Sequence, residues 1–255
     1  MIPGQVILGL SMADWLGLPE DWSQDGHHID QLLVLVHWLI LTVLIAFAAY
    51  FVLALVRFRA GAHPQAERKG PSSRWLWVVA GGIFAFEVIL MAFFEIPLWV
   101  SREKLPAPEE STVVRVTGEQ FAWNFHYPGE DGIFGATDPE YIDEINTLGL
   151  DYDDPASNDD LVTINQMHVP LGKPVLVLLG SKDVIHAFSI PVMRVKQDAI
   201  PGSRIALSFT PTRTGRTEIA CAQLCGLGHY RMRAFLTVES EEEFAAWFEE
   251  ELEYM

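Results

Sequence analysis

Two long apolar runs dominate the first hundred residues, and short alternating segments follow. Leu32 to Val56 contains only His37 as a potentially charged side chain, and Trp75 to Val100 is broken only by Glu87 and Glu95. About 20 apolar residues suffice to cross a bilayer, so each run predicts a spanning helix. The loop between them, about residues 57–74, carries Arg57, Arg59, Arg68, Lys69 and Arg74 against the single acid Glu67. The positive-inside rule places such a loop in the cytoplasm, with the N-terminal segment and everything after Val100 outside. Residues 1–30 contain acids and no Lys or Arg, which agrees. Core helices of a soluble protein are the alternative reading; the length of the runs and the charge asymmetry of their flanks oppose it. An acid inside a span marks either a functional site or a paired group. We read Glu95 as lying near the interface, Glu87 as a contact to a neighbouring subunit, and His37 as a helix–helix contact.

After Pro106 and Pro108 the pattern changes to that of strands. Runs at Thr112–Thr117, Phe121–Tyr127, Leu161–Ile164, Val175–Leu179, Val184–Ile190, Arg204–Phe209, Arg216–Cys221 and Arg233–Val238 are short and rich in β-branched or aromatic residues. Pro170, Gly172, Pro191, Pro201, Gly202, Pro211 and Gly215 punctuate them. The series predicts a β-sandwich or Greek-key barrel over residues 101–255, beyond a two-helix hairpin at 31–100 and an extracytoplasmic segment at 1–30. Glu241 to Met255 reads as an acidic helix with Phe244, Trp247, Phe248 and Leu252 on its inner face. Residues 130–160 hold many acids and no Lys or Arg. This stretch is expected to be a surface loop, either merely solvated or a dock for a cationic partner.

The chain has 255 residues and a formal net charge of -17. That balance excludes a nucleic-acid binder, which needs Lys and Arg to neutralise phosphates, and favours a basic protein partner. Met1 to Leu10 is apolar but lacks a basic flank, so it does not read as a signal peptide.

The only two cysteines lie in Cys-Ala-Gln-Leu-Cys-Gly-Leu-Gly-His-Tyr-Arg-Met, which gathers Cys221, Cys225, His229 and Met232. Soft sulfur donors with imidazole select copper over magnesium or calcium. A disulfide would leave His229 and Met232 unexplained. Zinc sites usually show Cys-x2-Cys, whereas the spacing here is Cys-x3-Cys. A mononuclear blue-copper centre uses one Cys, two His and a weak axial Met. Two sulfurs can instead bridge two copper ions, leaving one His for each. The four residues would also align on one helix face, but Gly226 and Gly228 interrupt a helix. A loop joining two strands is the better reading. Upstream, His186 sits within a strand with Phe188 on the same face, the candidate for the second imidazole.

Taken together, the chain resembles subunit II of haem–copper cytochrome c oxidases. The matching elements are the two spans, Gly118-Glu-Gln-Phe-Ala-Trp123, Asp183-Val-Ile-His186, Gln197-Asp-Ala-Ile-Pro-Gly202 and Cys221-x3-Cys225-x3-His229-x2-Met232, in the family's order over residues 30–240. The resemblance implies a cupredoxin-like β domain holding a dinuclear copper A centre. It implies His186, Cys221, Cys225, His229 and Met232 as side-chain ligands and Gln223 as a backbone carbonyl ligand. Electrons would come from cytochrome c, or a c-type cytochrome domain, and pass to haem in subunit I. The setting implied is a prokaryotic inner membrane, with the N-terminus and copper domain on the periplasmic side.

Several positions depart from the family pattern. Many relatives have Glu where Gln223 stands and use it to help hold magnesium; a neutral Gln is a poorer ligand for a hard cation, which argues against magnesium here. Many have Trp where Phe121 stands, at the point where electrons arrive; Trp123 is retained, and both aromatics are candidates for transfer. Arg74 occupies the head of the second span, where many relatives carry an acid serving a proton path. Two other functions fit parts of the chain. A quinol oxidase subunit II would lack the cysteine ligands, and a membrane-anchored copper-delivery protein would have no redox partner.

Overall fold

A computed structural model of the chain describes residues 12–62 and 72–253. The apolar opening Met1–Leu10 and the charged residues Glu67, Arg68 and Lys69 of the connecting loop lie outside the described residues. The chain divides into two units, one built on residues 28–101 and one on residues 19–27 with 102 onward.

The first unit contains two helices long and apolar enough to cross a membrane, α1 (Gly26–Arg57) and α2 (Ser73–Arg102). At about 1.5 Å per residue each exceeds the roughly 30 Å hydrocarbon layer. Large apolar side chains such as Leu44, Phe47 and Leu53 on α1 and Trp77 and Phe84 on α2 are exposed. A water-soluble fold would bury such a surface, so the pair fits a membrane anchor. The His37 imidazole donates from Nδ1 to the Leu33 carbonyl 2.7 Å away, one turn back in α1. This bond within the helix satisfies one ring nitrogen locally. A π-helical turn, Met91–Glu95, interrupts α2 and ends on Glu95. Pro97 follows two residues later and has no N–H to continue the ladder, a sufficient reason for the widened turn.

The second unit is a sandwich of two five-stranded sheets, the form taken by the expected Greek-key β domain. One sheet has the order β3 (Leu161–Ile164), β2 (Ala122–Tyr127), β1 (Thr112–Glu119), β5 (Val175–Ser181), β8 (Ile205–Phe209). The other has β4 (Gln166–Pro170), β10 (Arg233–Glu239), β9 (Gly215–Cys221), β6 (His186–Ile190), β7 (Val195–Ala199). β1 pairs in parallel with β5, and β4 with β10; the remaining pairs are antiparallel. Burial alternates along β1, with Val114 and Val116 inward. They share one core with Trp123, Phe125, Val177 and Leu179 from their own sheet and Met167, Phe188, Ile219 and Leu236 from the facing one.

Two strands were not legible, β4 and β7. Both are edge strands, and their polar members (Gln166 and His168; Lys196, Gln197 and Asp198) break the apolar pattern, as solvent-facing edges commonly do. β6 begins at His186 rather than Val184. Asp183 Oδ1 accepts the Val184 N–H at 2.6 Å, and Ser181 Oγ donates to the Val184 carbonyl at 2.6 Å, which folds that stretch into a turn.

Residues 19–27 belong to the sandwich rather than to a separate extracytoplasmic segment. Trp22 donates its N–H to Val192 and accepts from Thr212, and the Gln24 N–H reaches Thr210. α1 accordingly starts at Gly26, before the apolar run begins.

The acidic stretch is an ordered insertion. Asp131, Asp138, Asp143, Asp151, Asp154, Asp159 and Asp160 each accept at least one nearby backbone N–H. Carboxylates used this way fix turns, a local task that accounts for much of the acid content. The C-terminal helix α3 (Glu241–Glu253) starts with a reciprocal cap. Glu243 accepts from the Ser240 N–H and hydroxyl, and Ser240 Oγ accepts the Glu243 N–H. Its Phe244, Trp247, Phe248 and Leu252 pack on the core, as their spacing predicts.

Candidate metal centre

The second sheet supplies the framework of the site. β9 ends at Cys221, β10 starts at Arg233, and the loop between them holds the other candidate ligands of that run. His186 opens β6, whose residues Phe188 and Ser189 pair with Cys221 and Ala220 of β9. The connection is a loop, not a helix, because Gly226 takes φ +134°, outside the reach of most side chains. A short 3-10 turn, His229–Arg231, then carries Met232 inward.

These residues converge. The Cys221 and Cys225 sulfurs lie 3.8 Å apart, and both thiols are free and buried. His186 Nδ1 is 4.0 Å from Cys221 Sγ, and His229 Nδ1 is 3.6 Å from Cys225 Sγ. Met232 Sδ lies 3.7 Å from Cys225 Sγ, and the Gln223 carbonyl oxygen lies 3.2 Å from Cys221 Sγ. The donor atoms of His186, Cys221 and Cys225 fall within 4.8 Å of one another, a group that could hold a metal ion. Two thiols, two imidazole nitrogens, a thioether and a carbonyl facing one small space form a soft, mixed donor set that fits copper.

Supporting groups orient the set. His186 donates from Nε2 to Asp183 Oδ1 at 2.8 Å, which leaves the Nδ1 lone pair toward the sulfurs. Burial works to raise the Asp183 carboxyl, but bonds from His186 and from the Val184 and Gln120 N–H groups outweigh it and hold the group below its ordinary value. Asp183→Asn is therefore expected to weaken copper affinity by about 10- to 100-fold, read by competition with a chelator. The Gln120 amide donates to the Cys225 carbonyl at 2.6 Å, tying the loop to the other sheet. A Cβ on Gly228 would lie 2.4 Å from the Phe121 ring, so glycine there lets Phe121 close over the loop. Gly118 plays the same part below, where a Cβ would lie 3.0 Å from both His186 and Trp123.

Burial, then the neighbouring Cys221, push the metal-free Cys225 thiol up from 9.0 to about 11. A raised folded-state value favours the protonated form, so its stabilising contribution is complete below 9.0 and is lost as pH rises toward about 11. Denaturant melts of the metal-free chain should show stability falling across that window. The copper-loaded chain, whose thiolates are already deprotonated, should not show this loss.

Trp123 and Phe121, read together from the sequence, differ in placement. Trp123 is fully buried, edge-on to His186 at 5.9 Å and to Phe188 at 5.3 Å. Phe121 is half-buried above the loop, with the Arg231 guanidinium 5.9 Å from its ring. The roles of Gln120 and Asp183 were not read from the sequence. Both lie in motifs quoted above, Asp183 three residues before His186 and Gln120 beside Phe121, but the Gln120 contact, 105 residues distant in sequence, could not be read from its position.

Comparison with known proteins extends these observations. The family model described as cytochrome c oxidase subunit II, periplasmic domain, matches residues 112–239. The alternative cytochrome c oxidase subunit 2 of Bradyrhizobium diazoefficiens is 35% identical over 93% of this chain and 83% of its own length. The chain belongs to the cytochrome c oxidase subunit II family. Cytochrome c oxidase subunit 2 of Cereibacter sphaeroides is 29% identical over 84% of this chain and 75% of its own. Among solved structures, the periplasmic domain of subunit II of cytochrome oxidase (CoxB) of Bradyrhizobium japonicum aligns with TM-score 0.44 and 30% identity, covering 59% of this chain and 99% of that one. As a subunit II, the chain is one component of a haem–copper oxidase.

Proposed function

We propose that this subunit accepts electrons from cytochrome c, or a c-type cytochrome domain, at a dinuclear copper A centre and passes them to haem in subunit I. The convergence of six donors around the Cys221–Cys225 pair carries this reading. His186, Cys221, Cys225, His229 and Met232 would hold the metals through their side chains, and Gln223 through its carbonyl. Bound there, copper would supply one-electron redox chemistry. The chain keeps four of the six donors out of water: Cys221, Cys225, Met232 and His186 are buried, Asp183 sets the His186 ring, and Phe121 lies over the loop, while His229 is half-buried and Gln223 exposed. Fixed ligands rearrange little between redox states, which favours fast transfer. Phe121 is the aromatic placed to face a donor, and buried Trp123 supports His186. The Gln223 side chain is neutral and contributes no magnesium ligand in this reading. Topologically, the β domain and residues 1–30 would lie on the periplasmic side of a prokaryotic inner membrane, with the 57–74 loop in the cytoplasm.

The test is metal quantification and electron paramagnetic resonance on the copper-loaded full chain. Two copper atoms per polypeptide and a hyperfine pattern from one spin shared by two nuclei are expected. One atom per chain at saturation, or copper released readily to a chelator, would overturn the proposal in favour of a mononuclear or delivery site.

A further inference from the structure

Away from the metal ligands, the outer face of the first sheet and the acidic insertion enclose a cavity of about 360 Å³. Its lining is basic, although the chain as a whole carries -17. Arg115 on β1 and Arg204 before β8 both line it, and neither lies within ion-pair distance of a carboxylate among the described residues. Lys182 also lines it but is committed to Glu119 at 2.5 Å and to the Thr147 carbonyl at 2.7 Å. The Arg115 guanidinium stacks over Phe134 at 4.1 Å, and its Nε is buried with no hydrogen-bond partner. Burial, then repulsion from Arg204, lower the Arg115 pKa to about 10; Asp160 opposes this. Asp160 does not pair with Arg115: its Oδ2 accepts from His126 at 2.6 Å and from the Gly135 N–H at 2.7 Å, and its Oδ1 is buried without a hydrogen-bond partner.

Arg115 and Arg204 repel one another, Asp160 offsets that repulsion only in part, and a partly buried guanidinium without a hydrogen-bonded partner is costly to hold. We propose that this cavity binds a phosphate-class oxyanion between Arg115 and Arg204. The planar guanidinium fork matches the paired oxygens of such an anion. Thr117 and Ser203 line the same space and carry hydroxyls able to act as neutral donors. The volume admits a phosphate with a small organic substituent. The anion's source is either a free phosphate or a lipid headgroup, and these present the same chemistry.

The site is independent of the copper reading, so the test uses the metal-free full chain in detergent. Inorganic phosphate is titrated calorimetrically against chloride at matched ionic strength, and native mass spectrometry reads retained phospholipid. Saturable phosphate binding, weakened roughly tenfold or more in both Arg115→Gln and Arg204→Gln, establishes the site with a soluble ligand. Arg204 is exposed, so its variant remains informative should Arg115→Gln fail to fold. A phospholipid retained by the parent chain and lost in the variants, without free-phosphate binding, establishes it with a headgroup ligand. Absence of both phosphate heat and retained lipid overturns the proposal, as does binding that Arg204→Gln leaves unchanged.

Discussion

Cys221→Ser is expected to lower electron transfer from cytochrome c through the assembled oxidase by at least about 100-fold. The expectation follows from where the sulfur sits. Cys221 Sγ is near His186 Nδ1, Cys225 Sγ and the Gln223 carbonyl at once, so it is shared by both halves of the donor set. A serine oxygen is harder than thiolate sulfur and stays protonated at neutral pH, which makes it a poor partner for copper. The loss should exceed that from Asp183→Asn, which only disorients one imidazole. Stopped-flow reduction by cytochrome c, with copper content measured on the same sample, separates loss of metal from loss of transfer. A variant keeping half the parent rate would sink the proposed function.

Trp123→Ala is expected to destabilise the β domain by about 3–5 kcal/mol. The indole is fully buried between the sheets and meets His186 and Phe188 edge-on, and its nearest neighbours are aromatic rings too rigid to collapse into the space. Denaturant melts of the full chain, followed by a β-domain signal, measure the loss. Trp123→Phe should recover most of it by keeping an aromatic edge against His186. A cost below about 1 kcal/mol for the alanine variant would mean that the site relaxes, contrary to the packing described.

The fold was legible where side chains alternate against one buried face. Thr112–Thr117, Leu161–Ile164 and the inner face of α3 emerge from period alone, because burial dictates residue type there. It was illegible where the cause of structure is remote or local. β4 and β7 hide because polar side chains, Gln166 and His168 in one and Lys196, Gln197 and Asp198 in the other, interrupt their apolar pattern. The insertion read as a surface loop, but its aspartates bond to backbone N–H groups and fix its turns in a way that composition does not reveal. The donor set was legible because ligand chemistry restricts residue type at fixed spacing. Its supports were less so: Gln120 reaches the Cys225 carbonyl from another sheet, and Gly228 matters only because Phe121 lies over it.

The strands that frame the donors, β6 with His186, β9 with Cys221 and β10 directly after Met232, are contiguous in a single hydrogen-bonded layer. Breathing between the two layers would therefore leave the spacing among sulfurs and imidazoles intact. Thermal agitation would vary the covering provided by Phe121 and Gln120 while the inner coordination frame keeps its dimensions.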